Sequence, residues 1–281
     1  MKWIVVVAAM VVMQGALPIV AGAADHGADF RQRDSATGGE VRESDISEEV
    51  RFGREVAARV IGRYGLYENP QIMKYVNLVG RSLALSTSRP EIEFRFAVLN
   101  TDEINAYAAP GGYIFVTRGA IARMRDEAEL AGVLAHEIGH VVEKHVVKEL
   151  NIRGTEQSAA SGLALLIGGT SESARLAFSQ AVDQALDMLF KNGYKREDET
   201  QADKDAVLFC ALAGYDPDGL VKYFERISAM KGKGTEVLDR THPSYEARIA
   251  WLKDTLVKEG VESASLKNHK ERFAEAMKNL K

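Results

Sequence analysis

The stretch "LAGVLAHEIGHVVEKH", residues 130 to 145, decides how this chain is read. On a helix at about 100° per residue, Leu130, Leu134, Ile138 and Val141 fall on one stripe. His136 and His140, about 40° apart, lie on roughly the opposite side. Just upstream, Asp126 with Glu129 resembles a capping box and gives the helix a start. The histidines are therefore not members of the apolar stripe. Two readings remain for their side of the helix, a solvated polar face or a metal-binding face. Imidazoles at i and i+4 project one turn apart, the bite that a tetrahedral zinc ion takes from a single helix. Glu137, about 100° round from His136, is placed to act on a water beside the ion without ligating it. His145 falls on the apolar side by the same arithmetic and reads as structural.

Composition sets the frame around this motif. The 281 residues are 46% hydrophobic and 27% charged, enough apolar material for one sizeable core. A net charge of -4 leaves no basic footprint, so no nucleic-acid partner is expected. Cys210 is the only cysteine, which excludes an intramolecular disulfide; in "AVLFCALAG" it reads as a small buried apolar residue. The N-terminus, "MKWIVVVAAMVVMQGALPIVAGAAD", has a short positive region, an apolar run and an A-x-A-like exit at Ala21-Gly22-Ala23. It reads as a secretory signal peptide, with an uncleaved membrane anchor as the alternative. No cysteine near the cleavage site signals a lipid anchor. The mature protein is then expected outside the cytoplasm, in the periplasm of the cell envelope if the source is a Gram-negative bacterium. The expected division is a signal peptide over 1–23, a flexible polar segment over 24–45, one domain over 46–257 and a C-terminal helical tail over 258–281.

Along the chain the hydrophobic period changes twice. "SEEVRFGREVAARVIGRY" has helical spacing with Ser47 as its cap, and a second helix is expected from Pro70 to about Leu85. "EIEFRFAVL", residues 91 to 99, alternates as a half-buried strand does. In "NAYAAPGGYIFVTRG", Pro110-Gly111-Gly112 is the turn of a hairpin with arms Ala106–Ala109 and Tyr113–Thr117. Helices return from about Gly119; "GYDP" at 214 to 217 supplies a glycine stop, an aspartate cap and a proline at the first helical position. "SGLALLIGG", residues 161 to 169, is too short to span a bilayer and reads as a buried or lid-forming segment. No 34-residue helical repeat is visible, so no helical-repeat domain is expected. The fold class is α+β, mostly helical, with one small β-sheet beside the motif helix.

A catalytic zinc site needs three protein ligands and one open position. Downstream, "REDETQADKDAVLFCALAGYDP" opens on an acidic turn, which helix-dipole effects alone would favour. Glu199 and Asp203, however, share one face, with Leu208 and Leu212 opposite. The glutamate can complete the metal shell, and the aspartate can accept a hydrogen bond from a ligating imidazole and fix its tautomer. Cys210 is too far along the helix to join the same ion.

H-E-x-x-H followed about sixty residues later by E-x-x-x-D resembles the gluzincin pattern. Four blocks extend the likeness: "NAYAAPGGYIFVTRGAI", "LAGVLAHEIGHVVEKH", "REDETQADKDAVLFCALAGYDPDGL" and "THPSYEARIAWL". Over roughly residues 46 to 257 the chain resembles the HtpX-like zinc metallopeptidases, which include the CAAX prenyl proteases and the soluble periplasmic BepA- and LoiP-type proteases. The chain is expected to be without the multiple membrane spans of the first branches and the C-terminal helical repeats of the BepA type, as no such segment is visible in the sequence. The resemblance implies one Zn²⁺ per chain, held by His136, His140 and Glu199, with Glu137 as general base. It implies unfolded or misassembled envelope proteins as substrates, and peripheral association with a membrane assembly machinery.

A second donor for the developing oxyanion is also required. His242, in "THPSYEARI", is the candidate, because its block resembles the one that folds back over the site in this family. A fourth metal ligand in a latent, closed site and a simple turn residue before Pro243 are the alternatives. Arg248 pairs with a site carboxylate or closes a surface ion pair. Asn105, Ala106 and Tyr107 form the expected substrate edge, which would take an extended peptide by backbone pairing, with Asn105 also bonding the substrate backbone. An ordinary structural hairpin is the alternative. A chaperone-like binder with a latent zinc site is the competing function.

Overall fold

The computed structural model describes residues 43–150, 172–230, 234–261 and 266–280. The expected signal peptide, nearly all of the polar segment after it and the apolar stretch at 161–169 lie outside the described residues. Helix α1 spans Glu43–Tyr64 and α2 Pro70–Ala84. Ser47 lies inside α1, which starts four residues earlier, rather than at its cap. At α2 the choice is local: Asn69 Oδ1 accepts from the Ile72 amide at 3.2 Å and Pro70 opens the helix.

Strands β1 (Arg95–Leu99), β2 (Ala106–Ala109) and β3 (Tyr113–Thr117) form a sheet of order β1-β3-β2. β1 runs parallel to β3 from Arg95 opposite Tyr113, and β2 runs antiparallel to β3. The strand expected from residue 91 starts four residues later. Parallel register would place 93 and 94 opposite Gly111 and Gly112, which form a turn and offer no ladder. That turn, Pro110–Gly112, joins the hairpin arms at the expected positions. Gly111 has φ 70°, and a Cβ there would lie 2.5 Å from Val50 Cα, so α1 packs directly on the turn.

Sheet alternation divides the interior. Ile114, Val116, Ala106 and Ala108 face the main core, while Phe115, Tyr107 and Ala109 face a second cluster with Phe52, Val56 and Phe190. The remaining helices are α3 (Arg118–Ile121), α4 (Glu127–Val142), α5 (His145–Glu149), α6 (Glu172–Asp187), α7 (Arg196–Leu212), α8 (Asp218–Ser228), α9 (Glu236–Thr241), α10 (Tyr245–Lys258) and α11 (Lys270–Ala276). A π-helical turn, Met188–Asn192, follows α6.

Helix α4 carries the motif, and every one of its residues is buried. Asp126 Oδ1 accepts from the Glu129 amide at 3.1 Å, as a cap should. The return bond lands one residue early, on the Arg125 amide at 2.9 Å. The side of α4 opposite the apolar stripe is covered by α7. Gly139 allows this: a Cβ there would meet Ala202 Cα at 3.1 Å. Burial excludes the solvated-face reading. At the "GYDP" stop, Asp216 Oδ1 accepts from the Asp218 amide at 3.0 Å. The C-terminal α11 returns Phe273 to the main core. Its Arg272 converges with Tyr75 and Tyr215 on the buried Glu127, Tyr215 Oη donating to Glu127 Oε1 at 2.8 Å. Among the described residues, no helix is long and apolar enough to cross a membrane.

Candidate metal centre

Helix α4 brings His136 and His140 to the face that meets α7, and α7 brings Glu199 to the same point. His242, which ends α9, completes the group. One donor atom from each of the four lies within 4.8 Å of all the others. His136 Nε2 and His140 Nε2 are 3.1 Å apart, and His136, His140 and His242 each place Nε2 3.6 Å from a Glu199 oxygen. A tetrahedral ion with bonds of about 2.0–2.1 Å separates its donors by about 3.3–3.4 Å. Glu199 is 0% exposed, and neither carboxylate oxygen has a hydrogen-bond donor. A buried carboxylate without donors is costly unless a cation completes it, so the donor set fits a zinc ion on its own chemistry.

The outer nitrogens of the three imidazoles are all engaged. His136 Nδ1 is 3.0 Å from Asp203 Oδ1, the orienting partner expected from the E-x-x-x-D spacing. His242 Nδ1 is 3.0 Å from Thr241 Oγ1, whose hydroxyl donates to the Val237 carbonyl at 2.9 Å and so accepts from the ring. His140 Nδ1 is 2.8 Å from His145 Nδ1. Each arrangement leaves Nε2 turned inward. Arg248 is 1% exposed and grips Asp203 with two donors, Nε at 3.0 Å and Nη2 at 2.5 Å. The surface-pair alternative for Arg248 is therefore excluded.

Charge in this pocket follows burial. Desolvation lowers His136 to about 4 and takes His140 and His242 well below the ordinary histidine value. It pushes Glu137 up to about 8 and Glu199 well above the carboxylate range. Burial would also raise Asp203, but Arg248 and His136 outweigh it and hold that carboxyl at about 2.

Glu137, His136, His242 and Arg248 line a narrow cleft with Asn105 and Ala106. Asn105 Oδ1 accepts from the Ala106 amide at 2.9 Å, and its buried Nδ2 has no partner. Tyr107 does not reach the cleft. Its ring stacks on Tyr64 across the other face of the sheet, and its hydroxyl lies 3.0 Å from Tyr64 Oη. Alternation within β2 turns Tyr107 to the face opposite Ala106. The Asn105 carbonyl accepts from the Thr117 amide at 3.0 Å, so the backbone of 105, 107 and 109 bonds β3 while that of Ala106 and Ala108 faces outward.

Two contacts escape a sequence reading. The Tyr194 ring stacks on His140 with centroids 4.0 Å apart, and its hydroxyl donates to the Ala108 carbonyl at 3.4 Å. No periodic signal in "KNGYK" marks it. His145 is brought back to His140 because α4 stops at Val142 and Lys144 adopts φ 56°, ψ 35°. Extrapolating the helix to residue 145 put the ring on the wrong side.

The sequence profile of peptidase family M48 matches residues 70–256, well over half the chain. The chain belongs to this family. The matched span is a zinc metallopeptidase domain of this family, with H-E-x-x-H on α4 and E-x-x-x-D on α7. It is similar to the beta-barrel assembly-enhancing protease of Escherichia coli (strain K12), 27% identical over 215 residues, 73% of this chain and 43% of that protein. It is also similar to the mitochondrial metalloendopeptidase OMA1 of Schizosaccharomyces pombe, 26% identical over 75% of this chain and 63% of that one. For metalloprotease YcaL of Escherichia coli (strain K12) the identity is 24%, over 74% of this chain and 76% of the relative. The M48 chain here thus spans less than half the length of the assembly-enhancing proteases it matches.

Proposed function

We propose that this M48 peptidase cleaves unfolded or misassembled envelope proteins in the periplasm. His136, His140 and Glu199 hold the zinc ion in this reading, and the observation that carries it is the cluster of their donor atoms with that of His242, beside a cleft that His136 and His242 line together with Glu137. Zinc, when bound, supplies a Lewis acid that polarises the scissile carbonyl and acidifies a water. Glu137 accepts the proton from the attacking water and returns it to the leaving amine. Asp203 holds the Nδ1–H of His136, and Arg248 holds Asp203. The unpartnered Asn105 Nδ2 donates to a substrate carbonyl, and the outward carbonyl of Ala106 accepts from the extended peptide, its amide being held by Asn105 Oδ1. Backbone pairing tolerates many sequences, which suits substrates recognised by being unfolded. The names of the similar proteases support envelope proteins as substrates and association with the machinery that assembles β-barrels.

In this reading His242 takes the fourth vertex in a closed form, as its place in the donor cluster supports, and withdraws before water and substrate enter. In the open form it becomes a donor for the oxyanion. The closed vertex also favours a second reading, a binder of unfolded chains whose zinc site stays latent. Digestion of casein by Glu137→Gln and His242→Ala variants separates the two. Glu137→Gln is expected to keep zinc and lose at least 100-fold in cleavage rate, the upper scale of general-base effects being about 10⁴-fold. Casein cleavage by Glu137→Gln at the parent rate refutes the mechanism. Undiminished protection of unfolded protein from aggregation by the same variant favours the binder.

A further inference from the structure

The geometry points to His145 and Asp198 as a positioning relay that sets the tautomer of His140 and thereby its hold on the metal. The inference rests on the zinc site proposed above and extends it to residues with no role there. His140 Nδ1 and His145 Nδ1 are 2.8 Å apart, a hydrogen-bond distance between two groups that carry one proton between them. If His140 is to offer the lone pair of Nε2 inward, its own proton must sit on Nδ1. His145 Nδ1 must then be the acceptor, and the proton of His145 must sit on Nε2. That nitrogen lies 3.5 Å from Asp198 Oδ1. The result is a pair of imidazoles whose protons each have one place, with the Asp198 carboxylate at ion-pair range of the outer ring.

Two further features show that the fold builds this contact. His145 is 2% exposed, so its ring is held with little freedom to turn away. The residue before it, Lys144, occupies the left-handed region at φ 56°, a conformation that a side chain adopts at a cost. This bend ends α4 and reverses the chain, placing the His145 ring behind His140. Asp198 neighbours Glu199 on α7, so one helical turn supplies a metal ligand from one residue and the anchor of the relay from the next. His136 uses a carboxylate directly and His242 a hydroxyl; His140 reaches its carboxylate through a second ring.

Zinc affinity, measured by competition with a chromophoric chelator, tests the relay without relying on turnover. Removing an outer partner of a ligating histidine costs about 10- to 100-fold in metal affinity. His145→Leu is expected to weaken zinc binding within that range. His145→Asn presents a carbonyl oxygen close to the place of Nδ1 and is expected to recover affinity to within about threefold of the parent. Asp198→Ala, at a half-buried position that leaves the core intact, is expected to lose about three- to tenfold. The melting temperature in chelator checks that each variant is folded. Parent-like zinc affinity in Asp198→Ala, or His145→Asn binding as weakly as His145→Leu, overturns the relay while leaving the zinc site standing. A parent protein that binds no zinc overturns both.

Discussion

Glu199 should destabilise the protein that lacks its metal. Its carboxylate is fully buried, its oxygens accept no hydrogen bond, and its closest cationic partner is Arg248 Nη1 at 3.7 Å, already committed to Asp203. A buried polar group left without partners costs about 1–3 kcal/mol. Glu199→Met replaces it with an unbranched apolar chain of similar reach, for which repacking costs under about 1.5 kcal/mol. The expected net gain is about 1 kcal/mol, and a domain of this size shifts by about 2–4 °C for each kcal/mol. In chelator, Glu199→Met should therefore melt about 2–4 °C above the parent. With zinc at about 1,000 times its dissociation constant, the parent gains about 4 kcal/mol from binding, and the order should reverse. Calorimetric melts of both proteins, with chelator and with zinc, read the crossing. A variant that melts below the parent in chelator would show that the carboxylate is satisfied without metal, and the fit argument for the site would fall.

Arg248→Met strands Asp203 as an unpaired buried charge and should cost about 3–5 kcal/mol in chelator, whereas Arg248→Met with Asp203→Leu should be clearly less damaged; equal losses by urea denaturation would refute a coupled pair. Lys144→Gly should stabilise the protein by about 0.5–1 kcal/mol, because glycine accepts the left-handed bend without strain, and a lowered melting temperature would contradict the bend. Burial would raise the Glu127 carboxyl, but Arg272, Tyr75 and Tyr215 outweigh it and hold it below its ordinary 4.5. Its contribution is thus complete above pH about 4.5 and is lost as the pH falls below that value. Hydrogen exchange across α11 should accelerate in that acid window in the parent, and a Glu127→Gln variant should show no such pH step.

The parts of the site legible in the sequence are those fixed by helix spacing. His136 with His140, and Glu199 with Asp203, each sit on one face because four residues make about one turn. The hairpin was equally legible, since Pro110-Gly111-Gly112 leaves little choice of turn. Arg248 and His242 depend on the return of α9 and α10 over α4, which no local period encodes. Tyr107 shows the limit of reading an edge as a run of residues, because alternation turns every second side chain away. His145 shows another limit, since one left-handed residue cancels helix arithmetic beyond Val142.

The convergence of donors from α4, α7 and the end of α9 also bears on a chain with a single cysteine. In the periplasmic setting proposed above, small proteins commonly rely on disulfide staples. Here one ion bound at Glu199, His242 and the α4 histidines would cross-link residues 136 and 242, closing a loop whose entropy a disulfide would otherwise remove from the unfolded chain. Such a staple can be fitted only after the segments have met, and chelation withdraws it without breaking a covalent bond. Metal supply, in place of thiol oxidation, would then govern how firmly the second half of the chain is tied to the first.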